Sequence, residues 1–401
     1  MNKELQNEYD VIIIGGGVAG LSAALSLKDT NLKILLLERK VKYIDVNRGD
    51  TLYPHSLDIL QKWNVLDSLI AKGAVKSHQF QIFRNNDDTL NVNIVDNTSY
   101  NNKFLLSLNH EQIEQSLYDN LLKCENITIV LGANVTKVTE SVLGYESILL
   151  KHNGEDMIIK AHLFIGCDGR DSFLRKMSEI EYVTQDFIHD IIILTSTHPF
   201  EYNNQTWLVY GRQHEILVGP LPDNKCRLSV IVKKDQTSLW MKMNEQEIEA
   251  AIKNESLLFD DCVIQKNESH IYEIKMSLAQ KFYDRNLVLL GDSAHTVHPI
   301  SGQGMALAIS DAYLLANLIK NFITTHELSI SEAIKISAAY NSERRVIVEK
   351  LQKEVANLGN LLVSDSIKYF IPRLFLTNIA PKLPFFEYEI ENMVKSEVEK
   401  F

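Results

Sequence analysis

The chain has 401 residues, 45% of them apolar, and its 41 Lys and Arg against 52 Asp and Glu give a formal charge of −11. That length calls for two units with substantial cores rather than one small domain, and the acidic balance excludes the basic face that nucleic-acid binding needs. Cys124, Cys167, Cys226 and Cys262 form no C-x-x-C pair and no metal-ligand spacing, and Met1–Asp10 has no signal-peptide core, so a reduced, cytoplasmic protein without disulfides or metal is expected.

Asp10–Ile14 is a continuous apolar run, the pattern of a parallel strand buried on both faces. Gly15-x-Gly17-x-x-Gly20 follows and opens a helix over Val18–Leu27 with Ala19, Gly20, Ala23 and Ala24. Gly15 permits the tight turn, Gly17 lets a pyrophosphate approach the backbone, and Gly20 lets helix and strand pack closely. The helix N-terminus offers free N–H groups to phosphates. A second strand, Lys33–Leu37, ends in Glu38, near the spacing at which an acid accepts hydrogen bonds from a ribose. Strand, glycine turn, helix, strand and acid together specify an adenine dinucleotide, with Gly15, Gly17, Ala19, Gly20, Glu38 and Arg39 as its candidate contacts.

Arg48 precedes a helix around Pro54–Trp63, short strands fall at 78–84 and 90–95, and Glu111–Leu122 reads as helix. Phe164–Arg175 carries Asp168-Gly169 followed by Ser172 and Arg175. Residues 187–195 and 207–232 read as strands separated by Gly211 and by Pro220–Asn224. A further buried strand, Leu287–Leu290, leads into Gly291-Asp292-Ser293-Ala294-His295-Thr296-Val297-His298-Pro299-Ile300-Ser301-Gly302-Gln303-Gly304-Met305, then a long apolar helix from Met305 to Ile319 that includes Asp311-Ala312. From Ser342 the chain is helical, and beyond Leu358 it turns markedly apolar, interrupted by Pro372, Pro381 and Pro384. That end is either a helical cap or a peripheral membrane contact.

The glycine turn, the Asp168-Gly169 segment and the 291–305 segment, in this order over residues 9–345, resemble the single-component FAD-dependent monooxygenases of the p-hydroxybenzoate hydroxylase type. The resemblance implies an α/β fold: a Rossmann-like, doubly wound FAD-binding domain (1–72, 100–180 and 271–345) interleaved with a mixed-sheet substrate domain (73–99 and 181–270), then C-terminal helices (346–401). It implies that Asp168 and Arg175 lie near the pyrophosphate, that Asp292 bonds the ribityl chain, and that Arg48 lies on the phosphate or ribityl region. Pro299, Gly302, Gln303, Gly304 and Met305 would pass beside the isoalloxazine ring. Where the family carries an arginine before the helix at 111, this chain has His110, so either flavin binding is altered there or Gln112 or Asn109 supplies the contact. His295 and His298 read as structural, and Tyr340-x-x-x-Arg344 as helix packing. The substrate face is expected to include Tyr210, His214, Leu217 and Pro299, with Phe187 and Met276 as further candidates.

The implied activity consumes NADPH or NADH and dioxygen and hydroxylates an aromatic or polyketide-like molecule through a flavin C4a-hydroperoxide. Oxygenation of an isoprenoid or lipid-like substrate, or a flavin-dependent reductase, is the alternative. A halogenase would show W-x-W-x-I-P, and none of Trp63, Trp207 or Trp240 lies in such a segment. A small-molecule substrate and a monomer or homodimer are expected, and no catalytic residue is assigned.

Overall fold

The computed structural model describes residues 5–43, 49–84, 88–92, 100–197, 205–323 and 327–363. The first part of the chain forms β1 (Glu8–Ile14), α1 (Val18–Ser26), β2 (Ile34–Glu38), β3 (Gly49–Leu52), α2 (Pro54–Lys62), α3 (Leu66–Ala71), β4 (Val75–Ser77), β5 (Phe80–Arg84) and β6 (Asp88–Val92). Then come β7 (Leu105–Asn109), α4 (His110–Leu121), β8 (Ile127–Leu131), β9 (Asn134–Glu140), β10 (Tyr145–His152), β11 (Glu155–Gly166), α5 (Phe173–Met177) and β12 (Tyr182–Asp186). The substrate-side strands are β13 (His189–Thr197), β14 (Thr206–Tyr210), β15 (Glu215–Leu221) and β16 (Lys225–Lys233), followed by α6 (Lys234–Lys242), α7 (Glu245–Glu255) and β17 (Val263–Tyr272). The chain returns through β18 (Lys275–Ala279), β19 (Tyr283–Asp284), β20 (Leu287–Leu289), β21 (His295–Thr296), α8 (Gly304–Ile323) and α9 (Ile330–Val363).

The main sheet runs β19-β20-β11-β1-β2-β8, with the β9–β10 hairpin extending from β11. Its centre is parallel: Val11, Ile12 and Ile13 stand opposite Ile34, Leu35 and Leu36 on one side and Leu163, Phe164 and Ile165 on the other. All nine of these side chains are fully buried. That explains why β1, β2 and the end of β11 are apolar at every position instead of alternating. α1 packs against α4 and α8. Helix α8 is long and apolar enough to cross a membrane, but more than half of it is buried inside the protein, as a core helix would be.

The second sheet runs β17-β13-β16-β15-β14-β5-β6 and is antiparallel except for β14 beside β5. Strict alternation divides its two faces. Ile192, Leu194, Val209, Ile216, Val218, Leu228 and Val230 turn one way and form a core with Trp240, Ile248 and Ile252 of α6 and α7. Ile191, Ile193, Tyr210, Ile231 and Tyr272 turn the other way and cluster with Ile300 and Ala356. That face looks onto the glycine-rich segment after residue 291. Two small sheets, β12-β18-β21 and β3-β7-β4, sit at the junction.

One expected boundary is corrected. The division at 345/346 falls inside α9, a single helix of 34 residues. Tyr340, Val348, Leu351 and Val355 keep one buried stripe running through it. Residues 364–401, on which the choice between cap and membrane contact rests, lie outside the described residues, as does Arg48.

Candidate active site

The three glycines of the first turn have different work. Gly15 takes φ +108°, and a Cβ there would fall inside the Cys167 carbonyl; a Cβ on Gly20 would fall inside the carbonyl of Gly15. Both are required by the protein's own packing. At Gly17 a Cβ would find nothing among the described residues closer than Glu114 Oε1 at 3.8 Å, so this position has room before it. No side chain caps α1 at Gly17, which leaves its first N–H groups and positive dipole end for phosphate oxygens.

Glu38 bridges the loop to the end of β2. Its Oε2 accepts from the Gly16 N–H at 2.6 Å and its Oε1 from the Lys40 N–H at 2.7 Å. Arg39 points into solvent. Beside this acid the Tyr43 hydroxyl is buried with no hydrogen-bond partner among the described residues, and burial, with Glu38 and Glu114 nearby, pushes its pKa well up. Asp168 accepts from the Leu174 N–H at 3.1 Å through Oδ2, whereas its Oδ1 is buried and unsatisfied. Two orphaned polar atoms flank a cradle whose central glycine opens outward, and buried polar groups in native proteins are normally paired. The residues present therefore suit a polar dinucleotide such as FAD.

Arg175 does not point at that cradle. It is buried, donates to the Ser293 carbonyl at 2.7 Å and the Arg170 carbonyl at 2.6 Å, and lies 3.6 Å over the Tyr182 ring. It is a strut joining the second glycine-rich segment to the third.

The third segment is held by Asp311, which has no exposed surface. Its Oδ2 accepts from the Gly291 N–H at 2.8 Å and lies 2.8 Å from His295 Nε2, while its Oδ1 accepts from Arg344 Nε at 2.6 Å. Burial alone would raise its pKa, but the His295 and Arg344 charges hold the carboxyl well below its usual range. His295 is buried with its Nε2 on this acid. Arg344 is more than helix packing; it neutralises the acid. A lone aspartate in an apolar helix and an arginine in the next helix were separately visible in the sequence, and the cost of a buried charge could have paired them.

The Asp292 side chain is about half exposed, and its Oδ2 meets Arg170 Nε at 3.1 Å. Both line a cavity of about 450 Å³ with His270, Tyr272 and Lys275. Gly291 itself, at φ +59°, presses against Ala19 and brings this segment onto α1. Then Pro299–Ser301 makes a 3₁₀ turn, Gly302 takes φ +61°, and Gln303 and Met305 are buried at the start of α8.

His298 fixes that turn. Its Nδ1 accepts from the Ile300 N–H at 3.2 Å, its Nε2 lies 3.0 Å from His189 Nε2, and the Phe187 ring meets it edge-on at 4.6 Å. Burial lowers both imidazoles, His298 to about 3 and His189 to about 4. Neutral His298 with a bare Nδ1 must then donate from Nε2 to His189.

Tyr210 and Leu217 are half-buried on the sheet face that looks toward this turn. One expected member of that face is corrected. His214 sits beyond the end of β14, 2.8 Å from Glu255 Oε1 and edge-on to Trp240, on the side sealed by α6 and α7. Phe187 and Met276 are buried within the cluster that this face forms with Ile300, and the Phe187 ring meets His298. Near Gly17, His110 Nε2 stands 3.4 Å from Glu114 Oε1. Gln112 and Asn109 do not substitute for an arginine: they close a capping box on α4, and the Gln112 amide donates to the Lys72 carbonyl.

Comparison with known proteins places these features in a family. The model of the family described as FAD binding domain matches residues 8–355. The chain is 24% identical to the ubiquinone hydroxylase UbiM of Neisseria meningitidis, over 77% of this chain and 68% of that one. It is 23% identical to the 6-methylpretetramide 4-monooxygenase of Streptomyces rimosus, over 86% and 84%. The structure of p-nitrophenol 4-monooxygenase PnpA from Pseudomonas putida DLL-E4 superposes with a TM-score of 0.80 at 17% identity, covering 98% of this chain and 99% of that one.

Proposed function

The chain belongs to the FAD binding domain family, and from that premise we propose that it is an FAD-dependent monooxygenase that hydroxylates an aromatic or polyketide-like small molecule. NADH or NADPH supplies the electrons and dioxygen the oxygen atom. Relatives named for aromatic and polyketide hydroxylation, the 6-methylpretetramide 4-monooxygenase and a 3-(3-hydroxy-phenyl)propionate hydroxylase of Comamonas testosteroni, support the aromatic reading over an isoprenoid one. One observation carries it: Gly291 of the third segment packs on Ala19 of the glycine-turn helix, and Ile300 of the turn that follows packs on the open face of the second sheet.

In this reading the Gly17 backbone and the α1 N-terminus receive the pyrophosphate, Glu38 the adenosine ribose, and Asp292 the ribityl chain once it parts from Arg170. FAD, when bound, supplies hydride acceptance and oxygen activation. The protein's share is orientation and exclusion of water. Tyr210, Leu217 and Pro299 bound the space in which the ring is held. His298 stays neutral and presents the backbone of the 299–301 turn at a fixed angle. The buried Asp311 cluster keeps Gly291 against α1, so the two ends of the cofactor path stay in register.

The test supplies ¹⁸O₂ and NADH or NADPH to the FAD-loaded chain with a panel of phenols and polycyclic phenols. A product carrying one ¹⁸O, with reductant consumption stimulated by the same compound, is expected. Consumption of reductant with only hydrogen peroxide formed across the whole panel sinks the hydroxylase assignment.

A further inference from the structure

Helix α4 walls the glycine turn with a pair of groups that can exchange a proton. His110, Glu114 and Tyr118 follow at four-residue intervals and share one face of the helix. That face meets α1 and the segment after β2. Glu114 Oε1 lies 3.8 Å from where a Gly17 Cβ would be, and the Tyr118 ring lies 5.3 Å from the Tyr43 ring, whose hydroxyl stands beside Gly16. Both members of the pair are withdrawn from water. The Glu114 side chain is 7% exposed and that of His110 12%, and His110 Nε2 stands 3.4 Å from Glu114 Oε1.

A buried carboxylate at the mouth of a phosphate cradle poses a charge problem. A phosphate seated on the α1 N–H groups faces Glu114 at short range, where like charges repel more strongly than in water. Glu38 is a second acid across the turn, already bonded to the Gly16 and Lys40 N–H groups. Among the described residues, the ionisable groups gathered with Glu114 around this turn are Glu38, Tyr43 and Tyr118, with Asp168 beyond Gly15. Helix α1 carries no ionisable side chain, and Lys72, beside Gln112, pairs with Asp119 at 3.2 Å. Of these side chains only the His110 imidazole gains positive charge near neutral pH. It occupies the first position of α4, where the positive helix end opposes protonation and Glu114 favours it. A second anion tips that balance.

We propose that His110 is the cation that holds the FAD pyrophosphate, and that FAD capture takes up a proton, which His110 shares between Glu114 and the phosphate. This rests on placing the pyrophosphate at Gly17. Affinity gained this way is complete where the free chain already holds the proton, and it is lost as pH rises past the point at which the bound form releases it. The full-length chain is equilibrated with FAD at about pH 6, 7 and 8.5, a span that covers an ordinary imidazole titration. Flavin left free is read by its fluorescence, and proton uptake by an indicator dye in weak buffer.

For the native chain Kd rises by about tenfold or more across this span, one proton setting the limit at about tenfold per pH unit, and near neutral pH binding draws a proton from solution. His110→Arg binds at the alkaline end as tightly as the native chain does at the acid end, with no slope. His110→Gln is weak throughout and equally flat. Glu114→Gln binds more tightly than the native chain at the alkaline end, and it carries the test if a His110 variant misfolds. A native Kd that does not move with pH, a slope that survives in both His110 variants, or Glu114→Gln binding no more tightly at the alkaline end overturns the proposal. Gly17→Ala then separates the causes. If it still weakens FAD, the pyrophosphate placement stands without the proton; if FAD binding is unchanged at every pH, the placement falls as well.

Discussion

Asp311, buried completely and bound to Gly291, His295 and Arg344, shows how one acid can hold a site it never touches. Removing one partner of a buried ion pair leaves the other uncompensated. Asp311→Ala is therefore expected to lower unfolding stability by about 3–5 kcal/mol, read by denaturant titration; a loss too small to measure would mean that Arg344 finds solvent when its partner goes. Acid should act in two steps. His189 and His298 have depressed pKa values in the fold, so the unfolded chain binds their protons first. Stability is full above about 6.5, falls as pH drops toward about 4 for His189 and about 3 for His298, and replacing His189 with Leu flattens this stretch. Asp311, depressed by its partners, contributes stability above its ordinary value of 3.8 and loses it as pH falls further. Loss of intrinsic tryptophan signal against pH separates the two ranges. At the cofactor, Asp292→Ala should yield protein poor in FAD, and Glu38→Ala should weaken FAD by about 1–3 kcal/mol while leaving the Gly16 N–H unpaired. Flavin-to-protein absorbance ratios after gel filtration check both.

The glycine turn joining β1 to α1 separates folding from binding within one element. Gly15→Ala forces a side chain into the Cys167 carbonyl at a positive φ, so the expected product is unstable with or without FAD. Among the described residues, Gly17→Ala meets nothing closer than 3.8 Å, so its apo form should melt within a degree or two of the native apo form while FAD retention drops severalfold. Thermal melts of the two apo proteins decide it; equal damage from both changes would refute the division of labour. These elements were legible in the sequence because apolar runs, glycine spacing and a terminal acid are local signals. His214 was not. A histidine at a strand end reads the same whether it faces substrate or Glu255, and only the fold of α7 brings Glu255 to it.

Across the whole molecule, the two sheets are tied by contacts that no short window of sequence contains. His298 of the cofactor segment meets His189 of β13, and a Cβ on Gly359 of α9 would come within 2.8 Å of the His298 ring. The break assigned at residue 345 failed because the buried stripe of α9 continues past it to reach this ring. Gly359→Val should press on His298 and shift the 299–301 turn, changing the spectrum of bound flavin without lowering FAD content by more than about twofold, the scale of a contact two residues removed from the cofactor. An unaltered spectrum would show that the turn is held by α8 alone.

The strand order β20-β11-β1-β2-β8 also fixes a timetable. β1 leaves the ribosome well before its partners: its neighbour β11 ends at Gly166 and the strand beyond that at Leu289. At about 5–20 residues per second, roughly 15–55 s separate the emergence of β1 from that of β20. From the emergence of β11 to that of β20, about 6–25 s at the same rate, a nascent chain displays an unfilled edge of Phe164 and Ile165, both fully buried in the finished fold. Arg344, which neutralises Asp311, arrives later still. FAD captured before then would sit on half a floor, so flavin loading follows translation, and chaperones that hold bare strand edges should be associated with polysomes making this protein.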